Sequence, residues 1–210
     1  MKTALIWGAS GGIGRAVASR LDREQWTVLG VARNPETLQD LTPHAFEADV
    51  SDPVQIERAI HQVGRVASEV DLWVYAVGFI TATKISEMTP ELWNRVLTAN
   101  LTGAFLTTRA SLPILAPRAH LVYLGAQDAR LRLPGLTAYA ASKAALEAFT
   151  VSLAKEQRRR RVTLVRAQAV DTDFWDLVPF KKPAHAMTPE ALADRIFEAY
   201  REGSKGSLDL

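Results

Sequence analysis

The sequence predicts an α/β fold, a doubly wound parallel sheet with helices on both faces, as a single domain over residues 1–210. Three observations predict it. Short apolar runs alternate with helical patterns along the whole chain. The first apolar run, at 3–7, leads at once into a glycine-rich turn and a helical pattern. Four predicted helices open with a capping residue followed by proline, as at Asp52-Pro53.

Each element follows from its apolar spacing and from the residues that start and stop it. Strands are predicted at 3–7, 26–32, 44–48, 70–77, 119–124, 162–168 and 207–210. Helices are predicted at 13–24, 35–41, 53–68, 90–111, 138–158 and 189–202. Because strands and helices alternate, the strands are expected to run parallel, with ligands bound at their carboxyl ends.

The turn after the first strand carries Gly8, Gly12 and Gly14. Glycine permits a tight turn, close approach of the backbone to a pyrophosphate, and close packing of the helix on the strand. The helix N-terminus adds free N–H groups and a partial positive charge. The turn therefore predicts a dinucleotide site in a Rossmann-type sheet. A flexible glycine turn without a ligand is the alternative.

A tyrosine and a lysine lie four residues apart at Tyr139 and Lys143, in a segment with helical spacing. Side chains at this spacing share one face of a helix. A cation beside the phenol favours the phenolate and so lowers the tyrosine pKa. We therefore expect the pair to exchange a proton with a carbonyl or an alcohol near neutral pH. A solvated helix face is the alternative for this spacing taken alone.

Together these motifs resemble the short-chain dehydrogenase/reductase family over nearly the whole chain. The resemblance implies a nucleotide-binding oxidoreductase that reduces a ketone or aldehyde, or oxidises the matching alcohol. It implies that Tyr139 donates the proton, Lys143 lowers its pKa and holds the cofactor ribose, and Asn100 supports a proton relay. The residues expected at the cofactor are Gly8, Ser10, Gly11, Gly12, Ile13, Gly14, Arg33, Asp49, Val50, Gly78 and Thr172.

Arg33 ends the second predicted strand. An acidic residue there would bind the two ribose hydroxyls and repel a 2′-phosphate. A planar guanidinium does the opposite, because its geometry suits phosphate. We therefore expect NADP(H) rather than NAD(H) as the cofactor. A solvated loop charge is the alternative for Arg33.

The chain departs from the family pattern on the substrate side. Ala126 occupies the position of a serine whose hydroxyl binds the substrate carbonyl in the family, and Gln127 or Asp128 could substitute for it. Ala76-Val77-Gly78 replaces Asn-Ala-Gly, and Ala167-Gln168 replaces a Pro-Gly turn. Losing one preorganised donor to an oxyanion costs about 3 kcal/mol. The second hypothesis is therefore a catalytically weak NADP(H)-binding sensor or assembly protein.

Residues 171–188 match neither the helical nor the strand pattern. By the same resemblance they form a short loop that covers the substrate. Two interpretations of Phe174 and Trp175 stay open: they line an apolar pocket, or they close the core.

Composition excludes several other functions. The chain has no cysteine, which excludes disulfides, thiolate metal sites and cysteine nucleophiles, and no metal site is expected. No membrane-length apolar run or signal peptide is present, so a cytoplasmic protein without membrane contact is expected. Arg158–Arg161 complement a helix dipole or bind nucleic acid; the first is favoured, because no aromatic residue interleaves them. By the resemblance, helices 90–111 and 138–158 form a homodimer or homotetramer contact.

Overall fold

The computed structural model of the chain describes residues 1–127 and 133–210. Within them, one parallel sheet has the order β3-β2-β1-β4-β5-β6-β7. The strands are β1 (Thr3–Trp7), β2 (Thr27–Ala32), β3 (His44–Glu47), β4 (Val70–Tyr75), β5 (Leu115–Leu124), β6 (Arg161–Arg166) and β7 (Gly206–Asp209). The α-helices are α1 (Gly12–Arg23), α2 (Pro53–Val66), α3 (Pro90–Leu97), α4 (Gly103–Ser111), α5 (Thr137–Glu156) and α6 (Pro189–Glu202).

The sheet is buried on both faces, which confirms the doubly wound prediction. Successive residues of β1 alternate between two cores. Leu5 and Trp7 pack towards α2, α4 and α5, whereas Ala4 and Ile6 pack towards α1 and α6. A parallel strand covered on both sides needs a continuous apolar run, and the sequence of β1 supplies one. The strand order reverses between β1 and β4, and the carboxyl ends there form the expected ligand crevice.

The predicted cap-and-proline starts are confirmed. The side chains of Asn34, Asp52, Thr89 and Thr188 each accept a hydrogen bond from a backbone N–H of the turn that follows. The segment after Asn34 is a 3-10 helix, Pro35–Leu38, rather than the predicted helix 35–41. It ends early because Leu38 packs over Gly30 and the chain then enters β3.

Two other elements differ from their predicted bounds. The predicted helix 90–111 is interrupted by a π-helical segment, Thr98–Thr102, which inserts one extra residue into the helix. Strand β5 begins at Leu115 rather than at residue 119, and its register against β4 shifts between Val70 and Leu72. Pro117 lies in the shifted part, where its missing N–H removes a ladder hydrogen bond.

Candidate active site

The glycine turn folds back so tightly on α1 that no side chain fits at two of its positions. Gly8 has φ +81°, and a Cβ on Gly14 would lie 2.1 Å from the carbonyl oxygen of Gly8. The N–H groups of Gly8 and Ala9 both donate to the carbonyl of Val31 in β2, at 2.9 and 3.1 Å. The turn is therefore fixed against the sheet at the carboxyl ends of β1 and β2.

The N-terminus of α1 is open to a ligand. Ser10, Gly11 and Gly12 are exposed, and the capping residue Gly11 makes no side-chain hydrogen bond. The first N–H groups of a helix have no acceptor within the helix, and an anion such as a pyrophosphate can accept their hydrogen bonds. Ile13 is half-buried and packs against the core between the sheet and α1.

Thr172 borders this turn, as the sequence predicts for a residue that contacts the cofactor. A Cβ on Gly12 would lie 2.8 Å from Thr172 Cγ2. The hydroxyl of Thr172 accepts a hydrogen bond from the N–H of Phe174 at 3.4 Å, which begins the 3-10 helix Asp173–Leu177. Gly12 and Thr172, 160 positions apart in the chain, thus meet at one end of the sheet.

A second polar group lies at the ends of β2 and β3. The carboxylate of Asp49 accepts hydrogen bonds from Ser51 N at 2.8 Å and Ser51 Oγ at 2.7 Å. Those bonds and the nearby positive charge of Arg33 hold the pKa of Asp49 below its usual value. Arg33 itself is exposed, and Val50 is buried against Gly103. The residues expected at the adenine and the 2′-phosphate therefore lie together.

The Tyr139 and Lys143 side chains share one face of α5. Lys143 Nζ lies 5.5 Å from the centre of the Tyr139 ring and donates to the carbonyl of Leu124 at 2.7 Å. Lys143 is buried, and burial lowers the pKa of its ammonium to about 8. The sequence predicts that Lys143 lowers the pKa of the Tyr139 phenol, but in the structure burial raises this pKa. Desolvation opposes the phenolate, and the ammonium is directed to Leu124 instead of the phenol.

Asn100 holds the segment that follows β4. Its Nδ2 donates to the carbonyls of Phe79 at 2.7 Å and Val96 at 3.0 Å, and its Oδ1 accepts from Phe79 N at 3.3 Å. A Cβ on Gly78 would lie 3.1 Å from that Oδ1. Asn100 is fully buried, and its side chain fixes the backbone beside the site.

The aromatic loop 171–188 returns to the sheet and brings one ring to the Tyr-Lys pair. Phe174 and Tyr139 have ring centres 6.1 Å apart. Trp175 Nε1 donates to the carbonyl of Val170 at 2.8 Å, which ties the indole to the base of the loop. Phe174 therefore borders the site, whereas Trp175 closes the loop.

Ala126 offers no donor, and Gln127 is engaged elsewhere. Gln127 Nε2 donates to the carbonyls of Leu210 at 2.9 Å and Arg166 at 3.4 Å. Its backbone N–H donates to Ala167 at 3.4 Å. The third residue considered at this position, Asp128, lies outside the described residues.

Sequence reasoning missed Arg166, which forms a charged cluster beside the site. Its guanidinium donates to Asp209 at 2.7 and 2.8 Å and to Glu147 at 2.9 Å. Glu147 lies one helical turn after Lys143. The sequence contains a feature that could have indicated it: Arg166 is a charged residue at the end of a largely apolar strand, directly before Ala167-Gln168.

The arginine run after α5 is engaged with backbone carbonyls. Arg160 donates to the carbonyls of Leu112 at 3.1 Å and Leu115 at 2.9 Å. Arg161 donates to the carbonyl of Tyr200 at 2.8 Å. These contacts favour a structural role for the run.

In residues 1–127 and 133–210, no helix has the length and apolarity to cross a membrane, and no cluster of metal-ligand side chains forms.

A parallel sheet with a glycine turn after β1 and a Tyr-Lys pair on α5 defines a nucleotide-binding oxidoreductase of the Rossmann type. Residues 2–180 match the family described as short chain dehydrogenase. The chain belongs to that family.

Relatives and solved structures agree with this assignment. The 3-oxoacyl-[acyl-carrier-protein] reductase FabG of Escherichia coli (strain K12) is 30% identical over 183 residues, 82% of this chain and 75% of that protein. The 2,3-dihydro-2,3-dihydroxybenzoate dehydrogenase of Bacillus subtilis (strain 168) is 30% identical over 190 residues, 84% of this chain and 73% of that protein. A dehydrogenase/reductase from Sinorhizobium meliloti 1021 superimposes with TM-score 0.87 and 26% identity, covering 100% of this chain and 93% of that one.

Proposed function

We propose that the protein is an NADP(H)-dependent oxidoreductase that reduces a ketone or aldehyde through Tyr139 and Lys143. The observation that carries this proposal is the placement of the pair. Lys143 is buried 5.5 Å from the ring of the half-buried Tyr139, at the carboxyl end of β5, and Phe174 packs on that ring. An acid–base pair at this end of a doubly wound sheet lies where substrates and dinucleotides meet.

The residues present fit a nicotinamide dinucleotide. The exposed turn before α1 offers free N–H groups to a pyrophosphate, and the contact that a Cβ on Gly14 would make explains why this turn carries no side chain there. Asp49 and Val50 would border the adenine, Arg33 the 2′-phosphate and Thr172 the carboxamide. When bound, the cofactor supplies or accepts a hydride at the substrate carbon.

Tyr139 acts as the proton donor to the substrate oxygen. Its raised pKa keeps the phenol protonated at neutral pH. An alkoxide that forms as hydride reaches the carbonyl carbon is far more basic than a phenolate, so the proton passes from Tyr139 to that oxygen. Lys143, with a pKa of about 8, is mostly charged at pH 7 and stabilises the phenolate that remains. This arrangement favours the reducing direction.

The substrate is expected to be apolar or aromatic near its carbonyl group. Phe174 borders Tyr139, and the ring pair presents an apolar wall on that side. The two named relatives are a 3-oxoacyl-[acyl-carrier-protein] reductase and a 2,3-dihydro-2,3-dihydroxybenzoate dehydrogenase, and both names denote oxidoreductases.

The deciding experiment is NADPH oxidation with a panel of reactive carbonyls and quinones, run beside Tyr139→Phe. We expect turnover in the wild-type protein and a loss of at least about a hundredfold in the variant, since the proton donor is gone. Tyr200→Phe is the matched control, because Tyr200 packs against Trp26, away from this site. Equal turnover in Tyr139→Phe and the wild type would contradict the proposal.

Cofactor choice is tested by the dissociation constants for NADPH and NADH. We expect NADPH to bind more tightly, and Arg33→Ala to remove most of that preference by taking away the phosphate partner. Arg23→Ala, an exposed arginine at the end of α1, is the control. Equal affinity of the wild-type protein for NADPH and NADH would contradict the proposed NADP(H) preference.

The second candidate function is a catalytically weak NADP(H)-binding sensor or assembly protein. Ala126 favours it, since no hydroxyl stands at that position. The two functions separate when NADPH affinity and turnover are measured on the same sample. Confirmed NADPH binding without turnover on any substrate would support the sensor.

We also propose a homo-oligomer, a dimer or tetramer, built on α4 and α5. Phe105 on α4 is 44% exposed and Val151 on α5 is 52% exposed, and the family resemblance assigns the subunit contact to these two helices. Phe105→Glu should therefore shift sedimentation towards the monomer. Ile85→Glu alters an apolar side chain that is 68% exposed on the loop before α3, and it serves as control. A wild-type protein that sediments only as a monomer at micromolar concentration would remove this proposal.

A further inference from the structure

A carbonyl reductase needs a hydrogen-bond donor at the substrate oxygen besides its proton donor, and the expected position does not supply it. Ala126 has no polar side chain, and both N–H groups of the Gln127 amide point to main-chain carbonyls. Loss of such a donor costs about a hundred- to a thousandfold in rate. A reductase with this sequence therefore needs the donor from another element.

The segment after β4 contacts residues that flank Tyr139 in the fold or in the chain. At its start, a Cβ on Gly78 would lie 3.6 Å from Phe174 Cζ, and the Phe174 ring packs on Tyr139. At its end, Thr83 N donates to the carbonyl of Gly135 at 3.0 Å, four residues before Tyr139. The start of the segment thus meets the ring that packs on Tyr139, and its end meets the turn that leads into α5.

The position of this segment is well fixed. Asn100 binds the N–H and the carbonyl of Phe79 with one side chain. A Cβ on Gly135 would lie 3.1 Å from Ala82 C and from Thr83 N, so the two loops touch backbone to backbone. A group held in this way is preorganised, which is the condition for an effective oxyanion donor.

Two hydroxyls lie on that segment and form a pair. Thr81 Oγ1 and Thr83 Oγ1 are 2.8 Å apart, and both residues are partly exposed. Two hydroxyls carry two protons, and the bond between them uses one. The other proton is available to a ligand, and the bond within the pair polarises it.

Other hydroxyls of the described loops near Tyr139 have different roles. Ser142 Oγ donates to the carbonyl of Tyr139 at 2.7 Å. Thr172 caps the 3-10 helix and packs its methyl group on the glycine turn. Thr137 is an exposed residue at the start of α5. Of these described hydroxyls, the Thr81–Thr83 pair is therefore the candidate donor.

We propose that the Thr81–Thr83 hydroxyl pair donates the hydrogen bond to the substrate oxygen that Ala126 lacks. This inference rests on the proposed reductase function. The pair neither gains nor loses a proton in the reaction: the hydride goes to the carbonyl carbon, and the proton comes from Tyr139. Its task is to polarise the carbonyl and to stabilise the oxyanion.

The test replaces the hydroxyls by methyl groups of the same shape. Thr81→Val/Thr83→Val should lower kcat/KM by about a hundredfold, with the NADPH dissociation constant unchanged. Thr81→Ser and Thr83→Ser keep the hydroxyls and should retain most activity. Thr137→Val is the matched control and should behave as the wild type.

A rescue separates a donor role from a packing role. Ala126→Ser should restore at least tenfold of the loss in the double valine variant, because it places a hydroxyl at the position where the family carries its substrate-binding serine. It should add less than about threefold to the wild type, where a donor already acts. Wild-type kcat/KM in the double valine variant overturns the inference, as does a loss that Ala126→Ser leaves unchanged.

The outcomes also separate this inference from the function beneath it. If turnover is lost in Tyr139→Phe but intact in the double valine variant, the proposed role of the hydroxyl pair is wrong and the proposed reductase function is still supported. A wild-type protein that binds NADPH and turns over no carbonyl removes both.

Discussion

Arg166 lies directly over Gly125: a Cβ on Gly125 would come within 3.1 Å of Arg166 Cγ. Arg166 cannot withdraw freely, because Asp209 holds its guanidinium at 2.7 and 2.8 Å and Glu147 holds it at 2.9 Å. Leu164 Cγ would be equally close to the added carbon, and it belongs to the buried core. The missing side chain at Gly125, directly after β5, thus makes room for a charged cluster that joins β6, α5 and β7.

Gly125→Ala should lower the free energy of unfolding by about 1–3 kcal/mol, the usual cost of overpacking. Part of that cost should vanish in the presence of Arg166→Ala, so a double-mutant cycle in urea should show coupling between the two positions. Gly64→Ala is the control, because an added carbon there meets nothing within 4 Å, in an exposed part of α2. It should leave stability equal or raise it by up to about 1 kcal/mol. Purely additive effects of Gly125→Ala and Arg166→Ala would show that the contact is not strained.

The sequence predicts those parts of the site that local sterics decide. Only glycine fits at position 14, given the 2.1 Å approach to Gly8, so the turn can be recognised without a structure. The capping residues act within one turn of chain, which makes helix starts readable as well. The parallel sheet follows from the alternation of these local elements.

The parts that the sequence does not predict depend on contacts between distant residues. The Gln127 side chain does not serve as a substrate donor, because it donates to the carbonyl of Leu210, 83 positions further along the chain. The pKa of Tyr139 rises because neighbouring segments bury it, whereas the i+4 spacing of Lys143 alone predicts the opposite direction. The π-helical segment at Thr98–Thr102 has no marker in a helical pattern that continues through it.

The contact between Gly12 and Thr172 predicts a specific defect and its repair. Gly12→Ala places a carbon 2.8 Å from Thr172 Cγ2, which must displace either the turn or Thr172. We expect the NADPH dissociation constant to rise tenfold or more, measured by fluorescence titration. Thr172→Ser removes Cγ2 and keeps the hydroxyl that caps Phe174, so Gly12→Ala/Thr172→Ser should recover much of the affinity.

Failure of that repair would identify a different cause. The added carbon would then act by keeping the pyrophosphate from the backbone, and the Thr172 methyl group would be irrelevant. Gly64→Ala serves again as the control, because it should leave the affinity unchanged.

The pKa of Lys143 sets an upper limit to the pH range of the reduction. Its ammonium has a pKa of about 8, and its charge stabilises the phenolate left on Tyr139. We therefore expect kcat/KM, measured by NADPH oxidation, to fall as the pH rises through about 8. The phenol should impose no limb of its own below pH 10, because burial raises its pKa.

Lys155→Met, at an exposed position in the last turn of the same helix, should leave this profile in place. A kcat/KM that stays level up to pH 10 would show that the charge of Lys143 is not required.

His120 makes stability depend on pH in the acid range. It is fully buried in β5, with Nε2 2.7 Å from Thr163 Oγ1, and its Nδ1 has no partner among the described residues. Burial, aided by the positive charge of Arg161, lowers its pKa to about 3. Between pH 6.5 and 3 the unfolded chain therefore binds a proton that the native protein does not. The contribution of His120 to the free energy of unfolding is complete above pH 6.5 and falls by about 1.4 kcal/mol per unit below it.

His120→Leu should remove this slope, because leucine does not titrate. The substitution does not leave the Thr163 hydroxyl without a hydrogen bond, since this hydroxyl still donates to the carbonyl of Ser204 at 3.2 Å. Urea unfolding of both proteins at several pH values between 4 and 7 isolates the effect, since the acidic groups contribute equally to both curves. The wild-type curve should fall below the variant curve by an amount that grows by about 1.4 kcal/mol per pH unit. His61→Gln, at an exposed position on α2, should run parallel to the wild type. Parallel curves for His120→Leu and the wild type would mean that the buried imidazole gains its proton without unfolding, through local opening of the sheet edge formed by β6 and β7.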